Sequence, residues 1–268
     1  MANRVVRTNG TSFVISQNDT YVGKSVEVYG EWSHGETDLL GKLLKRTSNI
    51  VEAGANIGAH TVFLGRDICP DGTVYAFEPR RLLFQMLCAN LALNSVTNVH
   101  AFQQGLGATR RVIIEGPLPQ QASNLGAYPL GTLAGEGEII DVRPLDERLT
   151  TLPHIALLKA DVEGHELAVL QGAGALIARD RPLLYLENDR TALSEALVRH
   201  VMGLGYSLWL HIVPLFRPNN AAGTQANIFG NEGSFNMICA PEERGTIIHG
   251  LPAITDPTAH PMLTSNAS

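Results

Sequence analysis

One stretch constrains this chain more than any other: Asn49-Ile-Val-Glu-Ala-Gly-Ala-Asn-Ile-Gly-Ala-His-Thr-Val-Phe-Leu64. The β-branched pair Ile50 and Val51 reads as a buried strand, and a turn bracketed by Gly54 and Gly58 follows it. Beyond the turn Ile57, Thr61, Val62 and Leu64 recur at helical spacing, which predicts a helix over about 57–66. Strand, glycine turn and helix in that order make an α/β nucleotide pocket. Glycine lets the backbone bend without a Cβ, and the helix start offers unpaired N–H groups. The dinucleotide fingerprint needs glycine at the middle of the turn so that a pyrophosphate can approach, and Asn56 stands there instead.

A second strand, Thr73-Val-Tyr-Ala-Phe-Glu78, ends in a carboxylate, the position from which ribose hydroxyls are bonded. An adenosine ligand without a pyrophosphate suggests S-adenosylmethionine. With Val51–Gly58 and Ala76-Phe-Glu-Pro79 go Asn90-Leu-Ala-Leu-Asn94, Asn98-Val99 and Lys159-Ala-Asp-Val-Glu-Gly-His-Glu-Leu167. In this order they resemble the FkbM family of S-adenosylmethionine-dependent methyltransferases, over roughly residues 25–240. The resemblance implies a class I, Rossmann-like α/β fold: a mostly parallel seven-stranded sheet with helices on both faces. It also implies methyl transfer to a hydroxyl of a sugar, glycan or natural product.

Further elements follow from apolar patterning. Residues 1–48 are expected as an N-terminal arm, with an extended start, a turn at 19–23 and a helix over 37–44. Glu36 and Asp38 there suit a helix first turn, where negative charge is favoured; the resemblance has this segment folding back over the cofactor. The main domain is expected over 49–240. It has helices at 81–93, 165–177 and 191–203, strands at 98–103, 154–160, 182–189, 206–213 and 234–239, and an inserted hairpin within 108–143. The Pro/Gly/Gln/Ser-rich stretch 116–137 reads as a lid loop, with Ser123 and Asn124 as possible ligand contacts. Residues 241–268 read as a surface tail.

Parallel strands converge at their carboxyl ends, and this places the chemistry. Glu52, Gly54, Asn56, Gly58, Thr61, Glu78, Gln104, Gly105 and Asp161 are the expected cofactor contacts, with Glu52 near the cofactor's amine. Asp161 ends the fourth strand; Glu187 and Asn188 end the fifth. These three offer oxygen-only ligands suited to Mg²⁺. A metal-free reading has Asp161 at the reaction centre and His165 or His211 as base. Glu163 and Glu166 fall in a helix first turn and complement its dipole. Trp32, Trp209, His211, Asn219, Asn220, Asn227, Phe229 and Asn236 mix aromatic faces with amides, as a saccharide surface would.

Composition narrows the partners. A formal charge of −6 gives no electrostatic footprint for nucleic acid. Cys69, Cys88 and Cys239 are odd in number and far apart, as in a reduced cytoplasmic enzyme. Met1–Arg7 has no apolar segment behind it, so no signal peptide is expected, and no apolar run is long enough for a membrane span. A small-molecule or saccharide hydroxyl acceptor is the expected partner, with a homo-oligomer left open. The rival readings are an oxidoreductase or epimerase with a nucleotide cofactor, which Asn56 disfavours, and a non-catalytic adenosyl-binding module.

Overall fold

In the computed structural model, which describes residues 3–8, 10–135 and 137–264, an antiparallel hairpin comes first: β1 (Asn3–Thr8) and β2 (Thr11–Ser16). Two helices follow, α1 (Val22–Tyr29) and α2 (His34–Leu43). Helix α1 was not expected. The Asp19 carboxylate accepts the N–H groups of Tyr21 and Gly23, so the expected turn continues straight into a helix.

The first βα unit is β3 (Ile50–Ala53), the glycine turn, and α3 (Thr61–Phe63), which widens into a π turn over Leu64–Ile68. Helix starts later than the spacing predicts because Asn56 and Gly58 have φ of 52° and 82°, outside the helical region. Next come β4 (Val74–Phe77), α4 (Arg81–Leu93) and β5 (Val99–Phe102). On α4 the residues Leu83, Met86, Leu87 and Leu91 form the buried stripe that the 3.6-residue period demands.

β6 (Gly105–Leu106), β7 (Arg111–Glu115) and β8 (Glu138–Arg143) form a small separate sheet, in which β7 and β8 are the expected hairpin. Its connecting loop is held to the turn between β2 and α1: Thr20 N–H donates to the Ser123 carbonyl, and Ser123 N–H donates to that of Asn18. That tether brings Asn124, Gly126 and Tyr128 over the site.

The second half runs β9 (Leu157–Ala160), α5 (Glu166–Gln171), α6 (Gly174–Asp180), β10 (Leu183–Glu187), α7 (Thr191–Gly203), β11 (Tyr206–Pro214), β12 (Gly233–Pro241), β13 (Ala253–Ile254) and α8 (Pro261–Thr264). The single helix expected over 165–177 is two. Gly172 lies so close to the Gly107 carbonyl that a Cβ would sit 2.0 Å from its oxygen. The Asp146 carboxylate then accepts the N–H groups of Ala175 and Leu176 at the start of α6.

The main sheet has the order β13-β11-β12-β10-β9-β3-β4-β5. It is a mixed sheet of eight strands, not the expected seven. β12 runs antiparallel to β10 and β11, and the added strand β13 pairs antiparallel with β11. That added strand comes from the stretch expected as a surface tail, which also buries Ile248 and His260; its last four residues lie outside the described ones. β3, β9 and β10 are buried because helices cover both faces, and their apolar runs are broken only toward the carboxyl ends, by Glu52, Lys159 and Glu187. Successive residues alternate between the two cores: Val51 and Leu158 pack toward α5, α6 and α7, Ile50 and Leu157 toward α2.

Candidate functional site

The carboxyl ends of β3, β4, β9 and β10 open into a cleft of about 280 Å³. Its floor is the glycine turn. Gly54 has φ 83°, and a Cβ there would lie 1.8 Å from the Asp161 carbonyl oxygen, so this crossing of two strand ends requires glycine. Asn56 Oδ1 accepts the N–H of its own neighbour Ile57 at 2.7 Å, which fixes the left-handed bend. At one wall Glu78 takes the Asn56 N–H on Oε2 and the Arg80 N–H on Oε1, both at 2.9 Å. Burial outweighs these bonds and pushes Glu78 up to about 7.

Beneath the opposite wall lies a row of buried polar groups. Thr61 donates to Glu52 Oε2 at 2.6 Å, and burial raises the Glu52 carboxyl. Lys159 is 1% exposed, with its ammonium 3.4 Å from Asp161 Oδ2. Burial alone would lower Lys159, but Asp161, Glu36 and Glu52 hold it above its ordinary value. Glu36 reaches the same row from α2, and Ser33 and Ser234 both donate their hydroxyls to its Oε1. His60 lines the cleft beside it; its Nε2 faces the Trp32 carbonyl at 3.1 Å and therefore carries the hydrogen.

The third group is acidic. One carboxylate oxygen each from Asp161, Glu163 and Glu187 lies within 4.8 Å of the others. Arg190 pairs with Glu163, and the Glu163 N–H donates to Glu187 Oε2 at 3.3 Å. Burial first, then the charge of Asp161, pushes Glu163 up to about 8 and Glu187 well above the carboxylate range. Glu166 turns back instead and accepts the N–H groups of Val162 and Gly164 ahead of its own helix.

The expected site residues divide. Glu52, Gly54, Asn56, Glu78, Asp161 and Glu187 line the cleft. Thr61 lies just beneath it on Glu52, and Gly58 packs against Leu87 at the back of the turn. Gln104, Gly105 and His165 gather at a separate small cavity; Gln104 is bonded to Asp141 and Arg148, and His165 faces the Leu130 carbonyl. His211 Nδ1 is 2.8 Å from the Tyr185 hydroxyl, below the floor. Asn188 points its amide at Met237 Sδ, away from the acids. Of the aromatic and amide set, Trp32 and Asn236 line the cleft, whereas Trp209 and Phe229 are core and Asn219 is exposed. Asn220 and Asn227 serve their own loop.

His60, Lys159 and Arg190 carried no expected role, and Glu36 was expected only as a helix first-turn acid. Lys159 had a readable signal: two positions before Asp161 on a strand, it must share that residue's face. Among the described residues no helix is long and apolar enough to cross a membrane.

The family described as "Methyltransferase FkbM domain" matches residues 52–213. "Methyltransferase 1" of Beauveria bassiana is 34% identical over 145 residues, which cover 47% of this chain and 58% of that protein. "Hexuronic acid methyltransferase AglP" of Haloferax volcanii is 29% identical over 148 residues, 52% of this chain and 56% of that protein. The chain thus spans a little over half the length of these curated relatives. The crystal structure of a Methyltransferase FkbM from Methylobacillus flagellatus KT aligns at a TM-score of 0.48 and 18% identity, over 73% of this chain and 44% of that one. So loose a likeness carries no argument about the site.

Proposed function

Because the chain belongs to the FkbM methyltransferase family, we propose that it is an S-adenosylmethionine-dependent methyltransferase acting on a hydroxyl of a sugar, glycan or natural product. The observation that carries this reading is the Glu78 carboxylate. Two backbone N–H groups hold it at the cleft wall, and each oxygen keeps a lone pair for a ribose hydroxyl. The left-handed turn from Gly54 to Gly58 supports it too, since a side chain at Asn56 leaves room for a nucleoside and not for a pyrophosphate.

When bound, the cofactor would supply a methyl group made electrophilic by its sulfonium: the bond from acceptor oxygen to methyl carbon would form as the carbon–sulfur bond breaks, with the sulfur leaving as a neutral thioether that keeps the bonding pair. The chain's own work is positioning and proton removal. Asp161, at the end of β9 and steadied by Lys159, faces the reacting centre. The acceptor's proton goes to the ionised form of the Glu163–Glu187 pair, whose raised proton affinity makes it a better base than a free carboxylate and whose population grows as pH rises toward 8. Neither His165 nor His211 lines the cleft, so this assignment takes the role first expected of them. In-line placement supplies most of the rate, so a weak base suffices.

A Mg²⁺ held by Asp161, Glu187 and Asn188 does not fit. The Asn188 amide is turned to Met237, and Lys159 and Arg190 already pair with Asp161 and Glu163. The three unpaired cysteines suit a cytoplasmic setting. Calorimetry with S-adenosylmethionine and with NAD tests the assignment; binding of NAD alone would overturn it.

A further inference from the structure

We propose that Glu36 is the carboxylate that receives the cationic amine of the cofactor's amino-acid tail. This rests on the cofactor reading above and assigns Glu36 the task that the sequence suggested for Glu52.

Glu36 is 2% exposed, lines the cleft, and is half satisfied. Oε1 accepts two hydroxyls, from Ser33 at 2.8 Å and Ser234 at 2.9 Å, which fix the carboxylate plane. Oε2 is buried with no hydrogen-bond partner among the described residues; the Tyr185 hydroxyl is near enough to feel the Glu36 charge, but its hydrogen-bond contact is His211 Nδ1 at 2.8 Å. His60 Nδ1 stands 3.9 Å from Oε2, beyond hydrogen-bond reach. A buried carboxylate oxygen left in that state is costly, and a cleft-lining one is a vacancy for a ligand donor.

Charge identifies the donor. Three carboxylates, Glu36, Glu52 and Asp161, act on one ammonium, Lys159, whose hydrogen bond goes to Asp161. The remaining polar neighbours of Glu36 are His60 and the Tyr185 hydroxyl. The row is therefore short of positive charge, and an ammonium with three N–H donors supplies it. Glu52 is the poorer partner: it already takes the Thr61 hydroxyl, and burial favours its neutral form. At Glu36 burial works the same way, but His60, Lys159 and the two serines outweigh it and keep the group ionised.

The sheet supplies the distance. Glu78 follows β4 and the Lys159–Asp161 pair ends β9, with β3 between them. Two strand spacings are about 10 Å. An adenosyl group with its ribose on Glu78 would direct its 5′ tail across that interval, toward the row that holds Glu36.

The test is calorimetry on the full chain and on Glu36→Gln, with S-adenosylhomocysteine and with its desamino analogue, which keeps the carboxylate and lacks the amine. The wild-type chain should prefer the amine-bearing ligand by about tenfold to hundredfold, the range of a hydrogen bond to a charged group. Glu36→Gln should lose most of that preference while binding the desamino analogue as before, which also certifies its fold. Glu36→Asp, which keeps the charge, should restore part of it. An unchanged preference in Glu36→Gln overturns the proposal, and so does an equal loss for both ligands, which would make Glu36 a prop for α2. A wild-type chain that binds neither ligand removes the cofactor reading itself, a result distinct from either of these.

Discussion

The two ends of the cleft hold their carboxylates by different means. At the β4 end Glu78 is fixed by backbone N–H groups of residues close to it in the fold, so its geometry comes with the turn and the strand. At the β9–β10 end Asp161, Glu163 and Glu187 come from two strand ends and are held by one another and by Lys159 and Arg190. The first arrangement is rigid and suits recognition of an unchanging nucleoside. The second is a crowded, titratable group whose charge depends on pH and on what enters, which suits chemistry. Binding and turnover should therefore separate along the cleft.

The largest effect that would break this division belongs to Glu78. Glu78→Ala removes two charge-assisted acceptors, and cofactor affinity by calorimetry should fall about hundredfold or more. A loss under tenfold would mean that the ribose does not lie there. Next in size, Asp161→Asn should lower the rate of methyl transfer about hundredfold while cofactor affinity changes less than tenfold. If affinity and rate fell together, Asp161 would belong to the binding end and the division would be lost.

The same contrast governs what could be read from the chain. Glu78, Gly54 and Asn56 were legible because local sequence dictates their geometry: an apolar strand, a glycine turn, an acid at the next strand's end. Helix α4 was legible for the same reason, as its period and bounds are local. Asn188 was assigned by strand position alone, yet it turns to Met237 because β12 inserts beside β10 in the opposite sense. Glu163 reaches the acids through a left-handed backbone, φ 57°, that nothing in Asp161-Val-Glu-Gly announces except the glycine. Glu36 read as an ordinary first-turn acid, because its role depends on Ser234, far away in sequence. The eighth strand failed likewise: Ala253–Ile254 is too short to carry a period.

Protonation sharpens the comparison with smaller effects. With Glu163 pushed up to about 8, methyl transfer under limiting acceptor should rise about fiftyfold between pH 6 and 8 and level above about pH 9. A flat profile would take the proton-accepting role from this pair. Stability should run the other way. Acids whose folded pKa lies above the unfolded value contribute stability fully present below about 4.5. That contribution is lost as pH rises through about 7 for Glu78 and Glu166 and about 8 for Glu163. The ligand-free chain should therefore melt several degrees lower at pH 8 than at pH 5.5. Cofactor should close much of that gap, since its cation favours the ionised acids.

The smallest expected effect concerns metal. Oxygens within 4.8 Å of one another form a plausible cation trap only if their charges are free, and two of the three carboxylates already face Lys159 and Arg190. A divalent ion would have to displace both pairings and find further ligands after Asn188 has turned away. Chelation with EDTA should thus change turnover by less than about twofold, within the spread that ionic strength alone produces at a partly exposed site. Loss of activity on chelation, restored by Mg²⁺ and not by salt, would show that the acids trade their internal cations for a metal. The β9–β10 end would then be an ion-binding site first and a proton acceptor second.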